Sequence, residues 1–310
     1  MGISVTEIYY NKLDDFFNDI VGINGKLLKE FTKCAGNDIY NQYIFRGESS
    51  INNKLIPSAL RIENENKICN YSGHISPNRG IKTGFDQINC EELILHKFYL
   101  SCDFNGLKIP LIKKLRYHNF SSDNYTDNNE WLPDDYFELA SLAQHYGLPT
   151  RLLDWSFNFF IALYFALCNT NNKDEYCSVW AFNYLSLNRY FTSRPNKIKV
   201  IVPEYSQNPN LKAQKGVFTH WQIARFDKNL KVDPVNRSSL DELFEDQIRS
   251  NEKTDFSTLF YKINIPIKFS KDLYFYLSTI GIDGSSLFPG YGGITRTIVE
   301  DALFLNKFQY

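Results

Sequence analysis

Apolar and polar residues follow one another along this chain with two different periods, and the period of each stretch predicts its local structure. Between residues 5 and 33 the apolar positions recur at helical spacing with a break near residues 22–25, which predicts one or two amphipathic helices. Later stretches predict helices over residues 91–104, 136–146, 157–167, 271–277 and 295–304, and strands over residues 43–45, 178–182, 198–202 and 259–265. Because these strands are irregularly spaced and do not alternate cleanly with helices, we expect an α+β fold with a mixed, largely antiparallel, split sheet flanked by helices.

Three stretches show neither period. Residues 62–89 are rich in Asn, Ser, Gly and charged residues, and residues 118–130 are strongly polar, so both are predicted as surface loops. Residues 281–293 are rich in glycine and are predicted as a loop that leads into the last helix.

The charged residues nearly balance, with 34 Lys and Arg against 35 Asp and Glu and a net charge of −1. Such a chain has no general basic field that would attract nucleic acid, although a local basic groove stays compatible with it. The six cysteines form no CxxC pair and no regular spacing, which argues against a disulfide framework and against a metal site. The first residues do not form a secretory signal, and no stretch reaches the roughly 18 apolar residues of a membrane span. We therefore expect a soluble, cytoplasmic protein without a metal or a membrane partner.

Arg46 follows the apolar run of the first predicted strand and precedes Gly47. A guanidinium at the end of a buried strand is costly unless it meets an anion or a carboxylate. In one interpretation Arg46 is a bidentate clamp for phosphate or carboxylate, and Gly47 lets the ligand approach the backbone. In the other, Arg46 forms an ion pair with a nearby acid such as Glu48.

Residues 144–155 concentrate polar and aromatic side chains at a predicted helix–turn–helix junction. Gly147 is positioned as the stop of the first helix, and Asp154 or Ser156 as the cap of the second. Turns held between rigid elements often carry functional side chains, because the scaffold positions them and leaves them accessible.

Within this junction His145 could bond a ligand hydroxyl or act as an acid–base group, and Tyr146 could stack on a flat ring. The structural alternative is a salt bridge between Arg151 and Asp154 that closes the turn.

Two later stretches carry weaker signals. Gln214 and Gly216 resemble a loop that meets a partner group, but a plain turn leading into a strand is the simpler interpretation. The glycines of residues 290–293 could cradle a phosphate at a helix N-terminus, but they lack the Lys-Ser/Thr ending of a P-loop.

Taken in order, these stretches resemble the FRG-domain family, named for its Phe/Tyr-Arg-Gly motif. The resemblance spans nearly the whole chain and is most specific over residues 142–155. The other matching stretches are residues 44–48, 55–61, 92–98, 162–166, 214–219 and 287–290. The resemblance implies one unit over residues 41–310, preceded by an N-terminal helical segment of residues 1–40.

The strand that ends in Phe45-Arg46-Gly47 is also similar, more distantly, to the ADP-ribosyltransferases, in which such an arginine holds the phosphates of NAD. This similarity implies an ADP-ribosyltransferase-like core and the transfer of ADP-ribose from NAD, the substrate, through an oxocarbenium-like state. It assigns Arg46 as the phosphate clamp, His145 as the partner of a ribose hydroxyl and Tyr146 as the stacking ring. The implied NAD-binding set is completed by Phe45, Gly47, Arg151 and Gln214. The Glu-x-Glu ending of that class is not evident, and Glu300 is the acid assigned to orient the nucleophile.

The resemblance implies a bacterial toxin or phage-defence effector that modifies a nucleic acid, such as RNA, or a protein. An antitoxin or other inhibitory partner protein would then hold it inactive. One alternative is a non-catalytic module that binds a nucleotide or phosphate through Arg46. The other is a structural interaction protein in which Arg46 pairs with Asp154 and locks the strand to the turn.

Overall fold

The structure is a computed structural model that describes residues 5–32, 42–116, 130–168, 174–187, 197–225, 227–248 and 258–306. The strands in these ranges are β1 (Thr6–Tyr9), β2 (Tyr43–Glu48), β3 (Glu130–Trp131), β4 (Leu153–Ser156), β5 (Tyr176–Asn183), β6 (Ile198–Ile201), β7 (Gly216–Trp221), β8 (Ile223–Ala224) and β9 (Phe260–Pro266). The α-helices are α1 (Leu13–Ile20), α2 (Lys26–Phe31), α3 (Glu65–Ser72), α4 (Gly84–Phe104), α5 (Lys113–Arg116), α6 (Phe137–His145), α7 (Phe159–Cys168), α8 (Pro209–Ala213), α9 (Leu240–Ile248), α10 (Ser270–Thr279), α11 (Gly284–Leu287) and α12 (Tyr291–Asn306).

Seven of these strands form one mixed sheet in the order β1-β9-β5-β2-β4-β7-β6. Strand β1 runs parallel to β9, and every other pair in this sheet is antiparallel. Strands β3 and β8 form a separate antiparallel pair. The expectation of an α+β fold with a mixed, largely antiparallel sheet flanked by helices is confirmed. No helix in the described part of the chain is both long enough and apolar enough to cross a membrane.

Strand β2 is the middle strand of the sheet, and its residues point alternately to the two faces. Tyr43 and Phe45 belong to the core cluster that α7 covers, and the ring of Phe45 meets Phe159 edge to face at 5.6 Å. Ile44 belongs to the cluster on the other face. The same alternation places Arg46 on the Ile44 face, with Glu48 beside it.

All four predicted strands are present, as β2, β5, β6 and β9, with ends shifted by a few residues. Of the one or two helices predicted near the N-terminus, two are present, α1 and α2, with the break between them where it was predicted. Strand β1 was not predicted, because four residues that alternate in burial give too short a signal to separate from the neighbouring helical pattern.

The predicted loop over residues 62–89 is wrong for most of its length. It contains α3, which buries Ile68 and Cys69, and the first turns of α4. Helix α4 starts at Gly84 rather than at residue 91, because Thr83 and Asp86 form a capping box in which each side chain accepts from the other's backbone N–H. The polar composition hid these helices, since α3 buries only Ile68, Cys69 and Ser72, and the first turns of α4 bury the polar Gln87 beside Ile88.

The predicted glycine loop over residues 281–293 is also partly helical. Asp283 caps the short helix α11, and α12 begins at Tyr291. The second predicted loop lies almost wholly in residues 117–129, which are outside the described residues, as is the boundary at residues 40 and 41.

The junction over residues 144–155 is partly as predicted. Helix α6 ends at His145, and Gly147 has a φ of +88°, which confirms its role as the helix stop. The expected cap of the next helix is wrong, because residues 153–156 form strand β4 in the centre of the sheet. The first turn of α7 is instead capped by Asn158, whose Oδ1 accepts from the backbone N–H of Phe160 at 2.8 Å.

Candidate functional site

The central strands β2 and β4 meet at a single residue pair. Phe45 pairs with Ser156, whereas β2 pairs with β5 along its whole length and β4 pairs with β7 along its whole length. The two strands therefore diverge beyond Phe45, and a cleft opens between them where Arg46 and Asp154 lie.

Arg46 spans this gap. Its Nε donates to Glu48 Oε1 at 2.6 Å, and its Nη1 donates to the backbone oxygen of Asp154 at 2.9 Å and lies 3.5 Å from the carboxylate Oδ2. The other oxygen of Glu48 accepts from Asn53 Nδ2 at 3.2 Å. Both ion pairs considered for Arg46, with Glu48 and with Asp154, are confirmed. Within the described residues the second terminal nitrogen, Nη2, has no hydrogen-bond partner.

Gly47 is required by helix packing. A Cβ at this position would lie 1.9 Å from the backbone oxygen of Ala162 and 2.6 Å from the backbone nitrogen of Ala166, both in α7. The space left by the missing side chain is thus filled by α7 rather than open to a ligand.

Asp154 is the most accessible charged side chain of the cleft, with 59% of its side chain exposed. Its neighbours Leu153 and Trp155 point into the core, so alternation along β4 turns Asp154 away from it. Its Oδ1 accepts from Gln144 Nε2 at 2.5 Å, and Gln144 Oε1 in turn accepts from the hydroxyl of Thr150. Gln144 of α6, held in turn by Thr150 of the following turn, therefore orients this carboxylate.

The cleft has a volume of about 370 Å³ and is lined mainly by polar groups. Its charged side chains are two guanidiniums, Arg46 and Arg61, and two carboxylates, Glu48 and Asp154. The other lining residues are Phe45, Gly47, Ser49, Asn53, Trp155, Ser156, Ala162, Phe165 and Gln214. The charges balance, so the cleft offers donors for an anion beside acceptors for a cationic centre.

His145 and Tyr146 lie outside the lining of the cleft. They follow Gln144 directly, at the end of α6, and Tyr146 is 71% exposed. Their rings are 5.0 Å apart in an edge-to-face arrangement, and His145 Nε2 lies 3.2 Å from the side-chain amide of Asn210. Desolvation lowers the pKa of His145 below its ordinary value, which favours the neutral imidazole.

Arg151 is buried away from the cleft. Its Nε donates to Glu91 Oε2 at 2.6 Å, and the two side chains are 8% and 4% exposed. The predicted salt bridge between Arg151 and Asp154 is therefore wrong, because each of the two residues pairs with a partner that is distant in sequence.

Gln214 lines the cleft, and its Nε2 donates to the backbone oxygen of Leu287 at 3.2 Å. The interpretation of this stretch as a turn into a strand is confirmed, since Lys215 has a φ of +46° and β7 begins at Gly216.

Glu300 does not line the cleft. It is 6% exposed and accepts from the hydroxyl of Tyr164 at 2.8 Å and from Arg296 Nε at 2.7 Å. Its carboxylate thus joins α12 to α7.

Sequence reasoning did not place Arg61 or Asn53 in the site. The sequence did contain the signal that pairs Glu48 with Arg46, because residues two apart on a strand share a face and Arg46 needs a counter-ion there. Arg61 carried none, since nothing local relates the end of a short 3₁₀ segment, Ser58–Leu60, to strands β2 and β4.

The fold and the site define an α+β protein with a charged cleft between two diverging central strands. Residues 41–175, a little under half of the chain, match the family model of the FRG domain, so the resemblance to that family is confirmed there. The match includes β2, β4 and α6. No curated protein and no solved structure gives a significant match.

Proposed function

We propose that the Arg46 cleft binds NAD and that the protein is an NAD-dependent ADP-ribosyltransferase. The observation that carries this proposal is the meeting of a preorganised guanidinium and two carboxylates in one polar cleft. Its volume of about 370 Å³ lies within the range of ligand sites.

Arg46 is proposed to hold the phosphates. Glu48 and the backbone of Asp154 orient its guanidinium before a ligand arrives, and Nη2 is left to donate to a phosphate oxygen. Glu48 is buried and both its oxygens are engaged, so we assign it as a positioning residue for Arg46.

In the transfer, the bond between C1′ of the nicotinamide ribose and the nicotinamide nitrogen breaks, and the nitrogen keeps the electron pair. A new bond forms between C1′ and an oxygen or nitrogen of the acceptor, whose proton passes to a base. Positive charge develops on the ribose during this step, and a nearby carboxylate stabilises it. Asp154 is accessible in the cleft and is held by Gln144, so we assign this role to Asp154 in preference to the buried Glu300.

His145 and Tyr146 keep a proposed role beside the cleft. Because they adjoin Gln144, they lie next to the residue that orients Asp154. The exposed ring of Tyr146 offers a stacking surface for nicotinamide or for a group of the acceptor. His145, as a neutral imidazole, can bond a ribose hydroxyl.

The corresponding biological role is that of a toxin or phage-defence effector acting on a nucleic acid or a protein, with an inhibitory partner as a further component. The test is to incubate the purified protein with NAD labelled in its adenylate half and a cell lysate. Parallel samples are treated with nuclease or with protease, and nicotinamide release is measured.

Arg46→Lys and Asp154→Asn are tested beside the wild type, with thermal denaturation to show that each variant folds. The transferase is supported if the wild type labels macromolecules and both variants fail to do so. The nuclease and protease treatments then identify the target class. The proposal is overturned if no label and no nicotinamide release are detected and the addition of NAD does not change the melting temperature.

A structural role for Arg46 is the second candidate, because the residue already bridges β2 and β4 through Glu48 and Asp154. In that case Arg46→Lys lowers the melting temperature, and NAD has no effect on the wild type. Thermal protection by NAD without turnover would instead indicate a nucleotide-binding module.

A further inference from the structure

Arg61 is a second guanidinium of the Arg46 cleft. Its Nε donates to the backbone oxygen of Ile56 at 2.9 Å, which fixes the side chain where the chain turns from the 3₁₀ segment Ser58–Leu60. Neither of its terminal nitrogens has a hydrogen-bond partner among the described residues.

Arg61 also lacks a counter-ion, which sets it apart from the other arginines in the described part of the chain. Each of the others has a carboxylate within 4 Å, and these pairs are Arg46–Glu48, Arg79–Asp86, Arg116–Asp103, Arg151–Glu91, Arg225–Glu92, Arg237–Glu65 and Arg296–Glu300. A partly buried guanidinium without a counter-ion is costly, so its charge is better explained by an anionic ligand than by folding.

We propose that Arg61 binds a phosphate in the cleft together with Arg46, so that the cleft recognises a diphosphate with one guanidinium for each phosphate. This inference rests on the proposed function and makes it specific. Glu48 and Asp154 neutralise Arg46 in part, so a single arginine there would hold a doubly charged group poorly. Arg61 brings an uncompensated charge, and a planar fork of donors matches phosphate oxygens.

The test compares the affinity of the full-length protein for ADP-ribose, ADP, AMP and inorganic pyrophosphate by isothermal titration calorimetry. The variants are Arg61→Gln and Arg61→Lys. Arg79→Gln is the matched control, because Arg79 is an exposed arginine paired with Asp86 and does not line the cleft. We expect Arg61→Gln to weaken ADP-ribose, ADP and pyrophosphate by at least about tenfold and AMP by much less. Arg61→Lys should fall between, because a lysine keeps the charge without the fork.

Equal weakening of AMP and ADP-ribose, no weakening, or no binding of any of the four probes by the wild type would overturn the inference. Melting temperatures show whether Arg61→Gln is folded, and the graded response of Arg61→Lys separates ligand binding from a structural defect. Arg61-dependent binding of diphosphates without nicotinamide release leaves the inference standing and removes the transferase. Transfer from NAD with an unchanged KM for NAD in Arg61→Gln overturns the inference and leaves the transferase standing.

Discussion

The guanidinium of Arg151 and the carboxylate of Glu91 form an ion pair that is buried on both sides, with Nε 2.6 Å from Oε2. Glu91 also accepts from Trp131 Nε1 at 2.7 Å and from Gln87 Nε2 at 2.6 Å. The ion pair thus joins helix α4 to the segment that leads into β4, across 60 positions of sequence. Arg151, which lies in the stretch that matches the FRG-domain model, therefore supports the fold.

Arg151→Met should lower the free energy of unfolding by about 3–5 kcal/mol, because it leaves the Glu91 carboxylate buried without its counter-ion. The measurement is urea unfolding at pH 7. Lys54→Met is the control, since Lys54 pairs with Glu242 on the surface, and its effect should stay below about 1 kcal/mol. Similar losses in the two variants would contradict the assigned role of the buried pair.

Gly47→Ala should destabilise the protein by about 1–3 kcal/mol, because the new methyl group would press on the backbone of α7. Gly292→Ala is a matched substitution in helix α12, where a Cβ would meet nothing within 4 Å. That variant should be neutral or more stable by up to about 1 kcal/mol. Urea unfolding of both variants checks the pair, and a stable Gly47→Ala protein would show that α7 does not need the glycine.

Asp154→Asn should lower kcat for ADP-ribose transfer by about two orders of magnitude while KM for NAD changes little. The reason is that the proposed role of Asp154 concerns the reacting ribose and the acceptor, whereas the phosphates are proposed to bind to the arginines. Asp272→Asn, at an exposed carboxylate in the first turn of α10, serves as control. A rise in KM with unchanged kcat would instead place Asp154 in substrate binding alone.

The protein should lose stability between pH 6.5 and pH 4 through His220, which is 1% exposed and accepts from the backbone N–H of Leu132 at 2.9 Å. Burial, and then the charge of Arg151, lower the pKa of His220 to about 4. The unfolded chain, with an ordinary pKa near 6.5, therefore binds more protons in this range, so the free energy of unfolding falls as the pH falls. The full loss attributable to His220 is on the order of 3 kcal/mol.

His220→Gln tests this assignment, because glutamine can still accept from the backbone of Leu132 but does not titrate. Urea unfolding at pH 7, 5.5 and 4.5 should give a smaller decrease for the variant than for the wild type. Equal decreases would assign the acid sensitivity to other groups.

The parts of the fold that were predicted correctly depend on local pattern. The apolar period of α6 and the glycine that follows it are contained in a dozen neighbouring residues, and so is the continuous apolar run of β5. The stretches where prediction was wrong carry weak local signals. Helix α3 has few buried residues, and β4 is a four-residue strand whose sequence, Leu-Asp-Trp-Ser, fits a turn as well as a strand.

The sequence by itself determined the α+β class, the helix stop at Gly147 and the need of Arg46 for a counter-ion, because each rests on spacing between near neighbours. Only the tertiary structure decided the partners: Arg46 with Asp154, 108 residues away, Arg151 with Glu91, and Arg61 with no carboxylate among the described residues. The physical reason is that a charged side chain takes whichever counter-ion the packing brings within a few ångströms. The sequence contains several carboxylates that could equally well have paired with each arginine. For Arg46, the divergence of β2 from β4 decided which of them lies close enough.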